Sequence, residues 1–287
     1  MRHMVTLRDY EGGETAWCPG CGNLLILTAV KKALVKLGLE PYQVLMVSGI
    51  GQAAKLPHYM KCNLFNGLHG RTLPVATGAR ITNPKLTVIA VGGDGDGYGE
   101  GGNHLIHAIR RNLDITYLVH DNQVYGLTKG QASPTSEEGF VTKTTPEGVF
   151  VRRLNPIALA ISLGISFVAR GYAGDIEHLA DIIAQGITNR GFSLIDILQP
   201  CVTFNRVNTY QWYRGRVYKL DSSYNPKDPM AAFQKSLEWE DRIPIGVIYT
   251  EERPTYEDHY PRITETPLVE QHHDIKSFEE ILEEFKV

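Results

Sequence analysis

LTVIAVGGDGDG, residues 86–97, decides the fold. Its first half is a near-continuous apolar run, the pattern of a strand buried on both faces of a sheet. Its second half opens into glycine and two carboxylates, Asp94 and Asp96. In an open parallel sheet, ligands sit outside the carboxyl ends of the strands, which is where this loop falls. VLMVS at 44–48 and DITYLVHDN at 114–122 read as strands on either side of it in sequence, and ISFVAR at 165–170 and SLIDIL at 193–198 as later ones. Between them lie helical patterns. GNLLILTAVKKALVKLGL at 22–39 places Leu25, Ala29, Ala33, Leu34 and Leu37 on one face and lysines on the other. Residues 102–112, 156–163 and 176–187 read the same way. This alternation predicts an α/β fold, a mostly parallel sheet with helices on both faces. Past Pro200 the periodicity weakens until a helix at 230–240, a strand IGVIYT at 245–250 and a charged helix at 275–286. Residues 1–200 are read as the main domain and 201–287 as a C-terminal extension packed on it.

Bulk properties narrow the function. The chain has 287 residues, 43% hydrophobic and 21% charged, with a net charge of −3. That is enough chain for a large core and carries no basic field for nucleic acid. No apolar run approaches the ~20 residues that span a bilayer, and MRHMVTLRDYEGGE lacks the apolar core of a signal peptide. A cytoplasmic protein without a membrane partner is expected. Four cysteines in a reducing compartment point to metal binding, redox chemistry or packing rather than a disulfide framework.

Two motifs carry chemistry. Gly93-Asp94-Gly95 ends one strand, and Asn122 ends the next, 28 positions later. Magnesium takes about six oxygens, few of them from protein when phosphates and water supply the rest. A carboxylate, an amide oxygen and a nearby main-chain carbonyl suit it. Glycines let the backbone approach a diphosphate, and the following helix turns its N-terminus toward the anion. The second motif is Cys-Pro-Gly-Cys-Gly at 18–22, on the loop entering the first helix, where open N–H groups favour thiolate. By itself a C-x-x-C suits zinc, an iron–sulfur cluster or a second thiol.

The Gly-Asp-Gly and Asn spacing resembles the thiamine diphosphate motif, with Asp121 in place of the first asparagine of the usual pair. The strings CPGCGN, SGIG, LHGRTLPVATG, GGDGDGYGEGGNH, HAIRRNLDI, DNQVYGLTKGQASPTS and QPCVTFN resemble, in order, the β subunit of 2-oxoacid:ferredoxin oxidoreductases, the 2-oxoglutarate type most closely and the pyruvate type next. The resemblance implies a thiamine-diphosphate-binding fold and oxidative decarboxylation of a 2-oxoacid to acyl-coenzyme A and CO2. It also implies that electrons pass through a 4Fe–4S cluster to ferredoxin and that an α subunit completes the active site.

It further implies Asp94, Asn122 and the Val124 carbonyl as magnesium ligands. The candidates around the cofactor are Gly51, His69, Gly93, Gly95, Asp96, Tyr125, Gly126, Leu127 and Thr128. Lys55, His69 and Lys129 are the candidate catalytic or substrate-binding groups, and Arg71 lies close to them in sequence. Cys18, Cys21 and Cys201 match cluster cysteines. After SGIG, where the family carries a cysteine, this chain has Gln52. Cys62 is the cysteine that remains, and it serves only if residues 52–62 bend back. Zinc suits four thiolates as well. Two other classes compete: a non-redox thiamine decarboxylase or synthase, which leaves the cysteines unexplained, and a non-enzymatic metal-binding electron-transfer module, which leaves the Asp94 motif unexplained.

Overall fold

The computed structural model describes residues 4–271 and 275–286. Among the described residues ten strands are formed. They are β1 (Val44–Ser48), β2 (Asn63–Asn66), β3 (Thr87–Gly93), β4 (Thr116–Asp121), β5 (Val124–Tyr125), β6 (Gln131–Ala132), β7 (Phe167–Tyr172), β8 (Ser193–Leu198), β9 (Val217–Lys219) and β10 (Ile243–Thr250). Eight of them make one sheet in the order β2-β1-β3-β4-β8-β7-β10-β9, and β5 and β6 form a separate hairpin. Every pairing in the large sheet is parallel except that of β10 with β7. The fold is thus α/β with a mostly parallel sheet, as the alternation of elements predicts.

Side-chain alternation builds the two layers. Ile89, Val91, Leu118 and Ile195 face α1 (Gly22–Lys36) and a helix at Ile176–Thr188. Val88, Ala90, Tyr117, Val119 and Leu194 face the other way, onto α2 (Thr72–Thr82), α3 (Gly102–Arg111) and α4 (Pro156–Ser162). With helices on both sides, β3, β4, β7 and β8 carry almost no exposed residue, which explains why they read as apolar runs. Helix starts are locally encoded. Asn155 Oδ1 accepts from Ala158 N at 3.0 Å, with Pro156 in the first turn of α4.

Sheet order is what positions the site. Because β1, β3, β4 and β8 are consecutive and parallel, their carboxyl ends lie side by side: Ser48 is level with Val91, Gly93 with His120, and Asp121 with Leu198. The four loops that leave these ends start at Gly49, Asp94, Asn122 and Gln199. Among the described residues no helix is long and apolar enough to cross a membrane.

Candidate active site

Asp94 follows β3 directly and is 1% exposed. Burial raises its pKa from 3.8 to about 6, against hydrogen bonds from Ser133 and Thr135 that favour the charged form. Thr135 Oγ1 lies 2.8 Å from Asp94 Oδ2 and 2.7 Å from Asp121 Oδ1. One hydroxyl has one proton for two carboxyls. Burial, with Asp196 and Asp94 nearby, pushes Asp121 far up, so of the two carboxyls Asp121 holds a proton the more readily. Asp94 is left as a buried anion whose charge the surrounding protein does not fully compensate, and a cation beside it would satisfy that charge. Asn122 Oδ1 accepts from Val124 N at 3.0 Å and retains a second lone pair. With the Val124 carbonyl at the start of the hairpin, this donor set fits magnesium, leaving places for phosphate and water.

The cleft beside Asp94 is lined by Gly51, Gln52, His69, Gly93, Gly95, Asp96, Asn122, Val124, Tyr125, Gly126, Leu127 and Thr128, together with Ile50 and Ala53. The structure therefore brings together all the residues implied around the cofactor. Gly95 is there for space: a Cβ would come within 2.3 Å of the Tyr125 ring. Gly51 sits at φ +127, where side chains are strained.

Asp96 has a role that sequence alone leaves open. Its Oδ1 accepts from Ile50 N at 3.0 Å and Gly70 N at 2.8 Å, and lies 2.6 Å from His69 Nδ1; its Oδ2 accepts from Thr72 Oγ1 at 3.2 Å. One carboxylate thus ties the loop after β1 to the loop before α2. A carboxylate oxygen accepts, so His69 Nδ1 is the donor of this pair and Nε2 is turned away from Asp96.

Lys55 is half-buried in a pocket that adjoins the cleft and shares Ile50, Gly51 and Leu127 with it. Lys129 is not among the cleft residues. It is exposed, at φ 79, and its N–H donates to Gly126 O within the hairpin turn. Arg71 turns instead to His104, with Nη1 2.6 Å from Nε2.

A second pocket adjoins the first. Cys18, Cys21 and Cys201 line it with Trp17, Asn23, Gln199, Thr203 and Phe204. Gln52, Asn122 and Gly126 line both pockets and form their common wall. Donors meet the sulfurs: Thr203 Oγ1 donates to Cys18 Sγ at 3.1 Å and Gln199 Nε2 to Cys21 Sγ at 3.6 Å. Cys21 caps the N-terminus of α1. Burial first, then nearby Cys201 and Cys18, push the Cys21 thiol up to about 11. Three thiols lining one pocket offer soft sulfur donors that a cation binds as thiolates. The donor set therefore fits a thiophilic metal or an iron–sulfur cluster. Among the described residues, no three or more His, Cys, Asp or Glu side chains already stand close enough together to hold an ion.

Cys62 does not meet the condition under which it would serve, that residues 52–62 bend back. Residues Ala53–Tyr59 form a 3-10 helix that feeds β2, and β2 runs parallel to β1 with Asn63 opposite Leu45. The register puts Cys62 at the amino edge of the sheet, half-buried against the α1 side of the core, at the opposite end from the other three cysteines. Sequence reasoning also missed Thr135, which bridges Asp94 and Asp121, and Asn205, whose Nδ2 donates to Asn122 O at 3.1 Å. Both stand inside the matched strings ASPTS and VTFN, but nothing in their spacing marks them.

A Gly-Asp-Gly loop and an asparagine loop at adjacent carboxyl ends of a parallel sheet define the class of thiamine-diphosphate-dependent enzymes. Residues 44–197 match the family "Thiamine pyrophosphate enzyme, C-terminal TPP binding domain", and residues 201–265 match the C-terminal family of the pyruvate ferredoxin oxidoreductase beta subunit. The 2-oxoacid:ferredoxin oxidoreductase β subunit of Saccharolobus solfataricus is 47% identical over 281 residues, covering 92% of this chain and 91% of the relative. The 2-oxoglutarate oxidoreductase subunit KorB of Mycobacterium tuberculosis is 44% identical over 192 residues, 67% of this chain and 52% of that one. A solved 2-oxoglutarate:ferredoxin oxidoreductase from Magnetococcus marinus, with 2-oxoglutarate, coenzyme A and succinyl-CoA bound, superposes with a TM-score of 0.90 at 34% identity, covering 97% of this chain and 96% of that one. The chain belongs to the β-subunit family of 2-oxoacid:ferredoxin oxidoreductases and is one part of a multi-subunit enzyme.

Proposed function

We propose that this subunit, with its α partner, oxidises 2-oxoglutarate in a coenzyme A-dependent reaction, releasing CO2 and passing electrons through an iron–sulfur cluster to ferredoxin. The observation that carries the reading is the common wall: a diphosphate-and-cation cleft and a three-cysteine pocket meet at Gln52, Asn122 and Gly126. A decarboxylase that releases no electrons has no use for the second pocket. A pure electron carrier has none for the first.

In this reading Asp94, the Asn122 amide oxygen and the Val124 carbonyl hold magnesium. The backbone at Gly93 and Gly95 and the Thr128 hydroxyl face the diphosphate. Thiamine diphosphate, when bound, supplies the electron sink that decarboxylation of a 2-oxoacid needs. His69, fixed by Asp96, presents Nε2 toward the reacting groups, where it accepts or holds a proton. Leu127 supports the cofactor and helps to exclude water. Lys55, in the adjoining pocket, pairs with the distal carboxylate of the substrate, which favours a dicarboxylic 2-oxoacid over pyruvate. Lys129, exposed beside the cleft, faces incoming coenzyme A or the α subunit. Cys18, Cys21 and Cys201 hold the cluster from the far side of the wall.

The test is a substrate panel on the co-expressed αβ pair. Ferredoxin reduction should require coenzyme A and proceed faster with 2-oxoglutarate than with pyruvate at equal low concentration. Decarboxylation that reduces no acceptor, or reduction indifferent to coenzyme A, would overturn the reading.

A further inference from the structure

Four of the side chains that line the cysteine pocket, beyond the carboxyl ends of β1 and β8, are Cys18, Cys21, Cys201 and Gln52. Three bring sulfur. The fourth brings an amide whose Oε1 is buried and has no hydrogen-bond partner. Leaving such an atom unpaired is costly, so an unpaired oxygen in a ligand pocket marks a group waiting for a partner. The backbone of Gln52 is anchored, its carbonyl accepting from Trp17 Nε1 at 2.8 Å. Gln199 also has a buried, unpaired Oε1, but its Nε2 is held by Pro200 O at 2.7 Å and donates to Cys21 Sγ, which directs it to the sulfur. Cys62 cannot supply a fourth thiolate from the amino edge of the sheet.

We propose that this is a three-thiolate centre whose fourth position faces the Gln52 amide oxygen, so that a cuboidal cluster bound here carries one iron without a thiolate ligand. The inference rests on the cluster reading above. Iron in sulfide surroundings is held better by thiolate than by a neutral amide oxygen. The unique iron is therefore the labile one. A one-electron oxidant converts the 4Fe–4S cluster in its 2+ state into a 3Fe–4S cluster in its 1+ state plus one ferrous ion; the electron goes to the oxidant, and no sulfide is lost. Ferrous iron plus one electron from a reductant reverses the change. With one thiolate fewer, the centre is also less negative, which raises its reduction potential over an all-cysteine cluster.

The experiment uses the αβ complex, reconstituted anaerobically with iron and sulfide and then treated with ferricyanide. Iron, acid-labile sulfide and the EPR spectrum are measured before and after. The expected result is loss of one iron in four with sulfide unchanged, and appearance of the signal of an oxidised three-iron cluster. Gln52→Cys should retain all its iron under the same treatment. Gln52→Ala, which offers no ligand atom, should lose it at least as readily as the wild type and guards against a misfolded cysteine variant. A wild-type complex that keeps its fourth iron as firmly as Gln52→Cys overturns the inference and leaves the cluster reading standing. A reconstituted complex that binds no sulfide, or holds only zinc, overturns both.

Discussion

If Asp94 holds the cation as proposed, its titration should set a lower pH limit on cofactor loading. Its carboxyl is 1% exposed, and burial outweighs the Ser133 and Thr135 hydrogen bonds in raising its pKa from 3.8 to about 6. The difference, about 6 minus 3.8, corresponds to about 3 kcal/mol at 1.36 kcal/mol per unit. That is roughly what keeping this carboxylate ionised costs the fold when no cation lies beside it. The sign follows from the raised value. The cost is present above about pH 6 and gone below 3.8, and a divalent cation removes it by supplying the countercharge. Cation and proton compete for the same carboxylate. Apparent affinity for the metal should thus be level well above pH 6 and fall about tenfold for each unit below it, so that binding at pH 5 is roughly ten times weaker than at pH 7. The assay is a titration of the metal-free αβ complex with Mn2+ at fixed thiamine diphosphate, following free Mn2+ by EPR between pH 5 and pH 8. Asp94→Asn should bind weakly throughout and show no inflection. A wild-type affinity unchanged between pH 5 and pH 7, or the same inflection in Asp94→Asn, would refute the reasoning.

Other perturbations test other parts of the site. Thr135→Val removes the hydroxyl between Asp94 and Asp121; a hydrogen bond to a charged group is worth about 1.5–3 kcal/mol, so cofactor affinity by calorimetry should fall about tenfold or more. Gly95→Ala drives a methyl into Tyr125. Overpacking of this kind costs about 1–3 kcal/mol, seen as a lower Tm that the double variant with Tyr125→Ala recovers in part; a Tm unaffected by Gly95→Ala would show that the loop moves aside freely. Lys55→Ala should raise KM for 2-oxoglutarate about tenfold or more, from the loss of one charge-assisted bond, with a much smaller change for pyruvate; equal effects would remove Lys55 from substrate binding. Cys62→Ser should leave iron and sulfide content unchanged, whereas Cys201→Ser should lower both.

The framework of the fold is legible in the sequence because its central strands are buried on both faces. β1 and β8 fall at the residues their apolar runs mark, and β3 and β4 within one or two residues of theirs. Elements without such a pattern are not legible. β2 is exposed along its length and reads NLFN, with neither alternation nor an apolar run. β9 is a three-residue edge strand. The antiparallel entry of β10 leaves no local signal, since an inner strand looks the same in either direction. The helix at Thr72–Thr82 lies inside the matched string LHGRTLPVATG, yet its Pro74 and Gly78 weaken the helical pattern.

The sequence by itself determined the chemistry of single loops: glycines and a carboxylate after β3, an asparagine after β4, a cysteine pair before α1. Each is a short-range statement, because neighbouring residues share one strand end or one helix start. Which loops meet was decided only by the tertiary structure. The order β1-β3-β4-β8 aligns four strand ends that are up to 150 residues apart in sequence (48 to 198). That alignment gives Gln52 and Asn122 to two pockets at once, sets Asp96 to tie two loops together, and lets Thr135 link two carboxyls. The same parallel register that gathers Cys18, Cys21 and Cys201 at one edge carries Cys62 to the other. Side-chain chemistry is written locally, but distance in a parallel sheet is set by strand order and register, and neither is a property of any one segment.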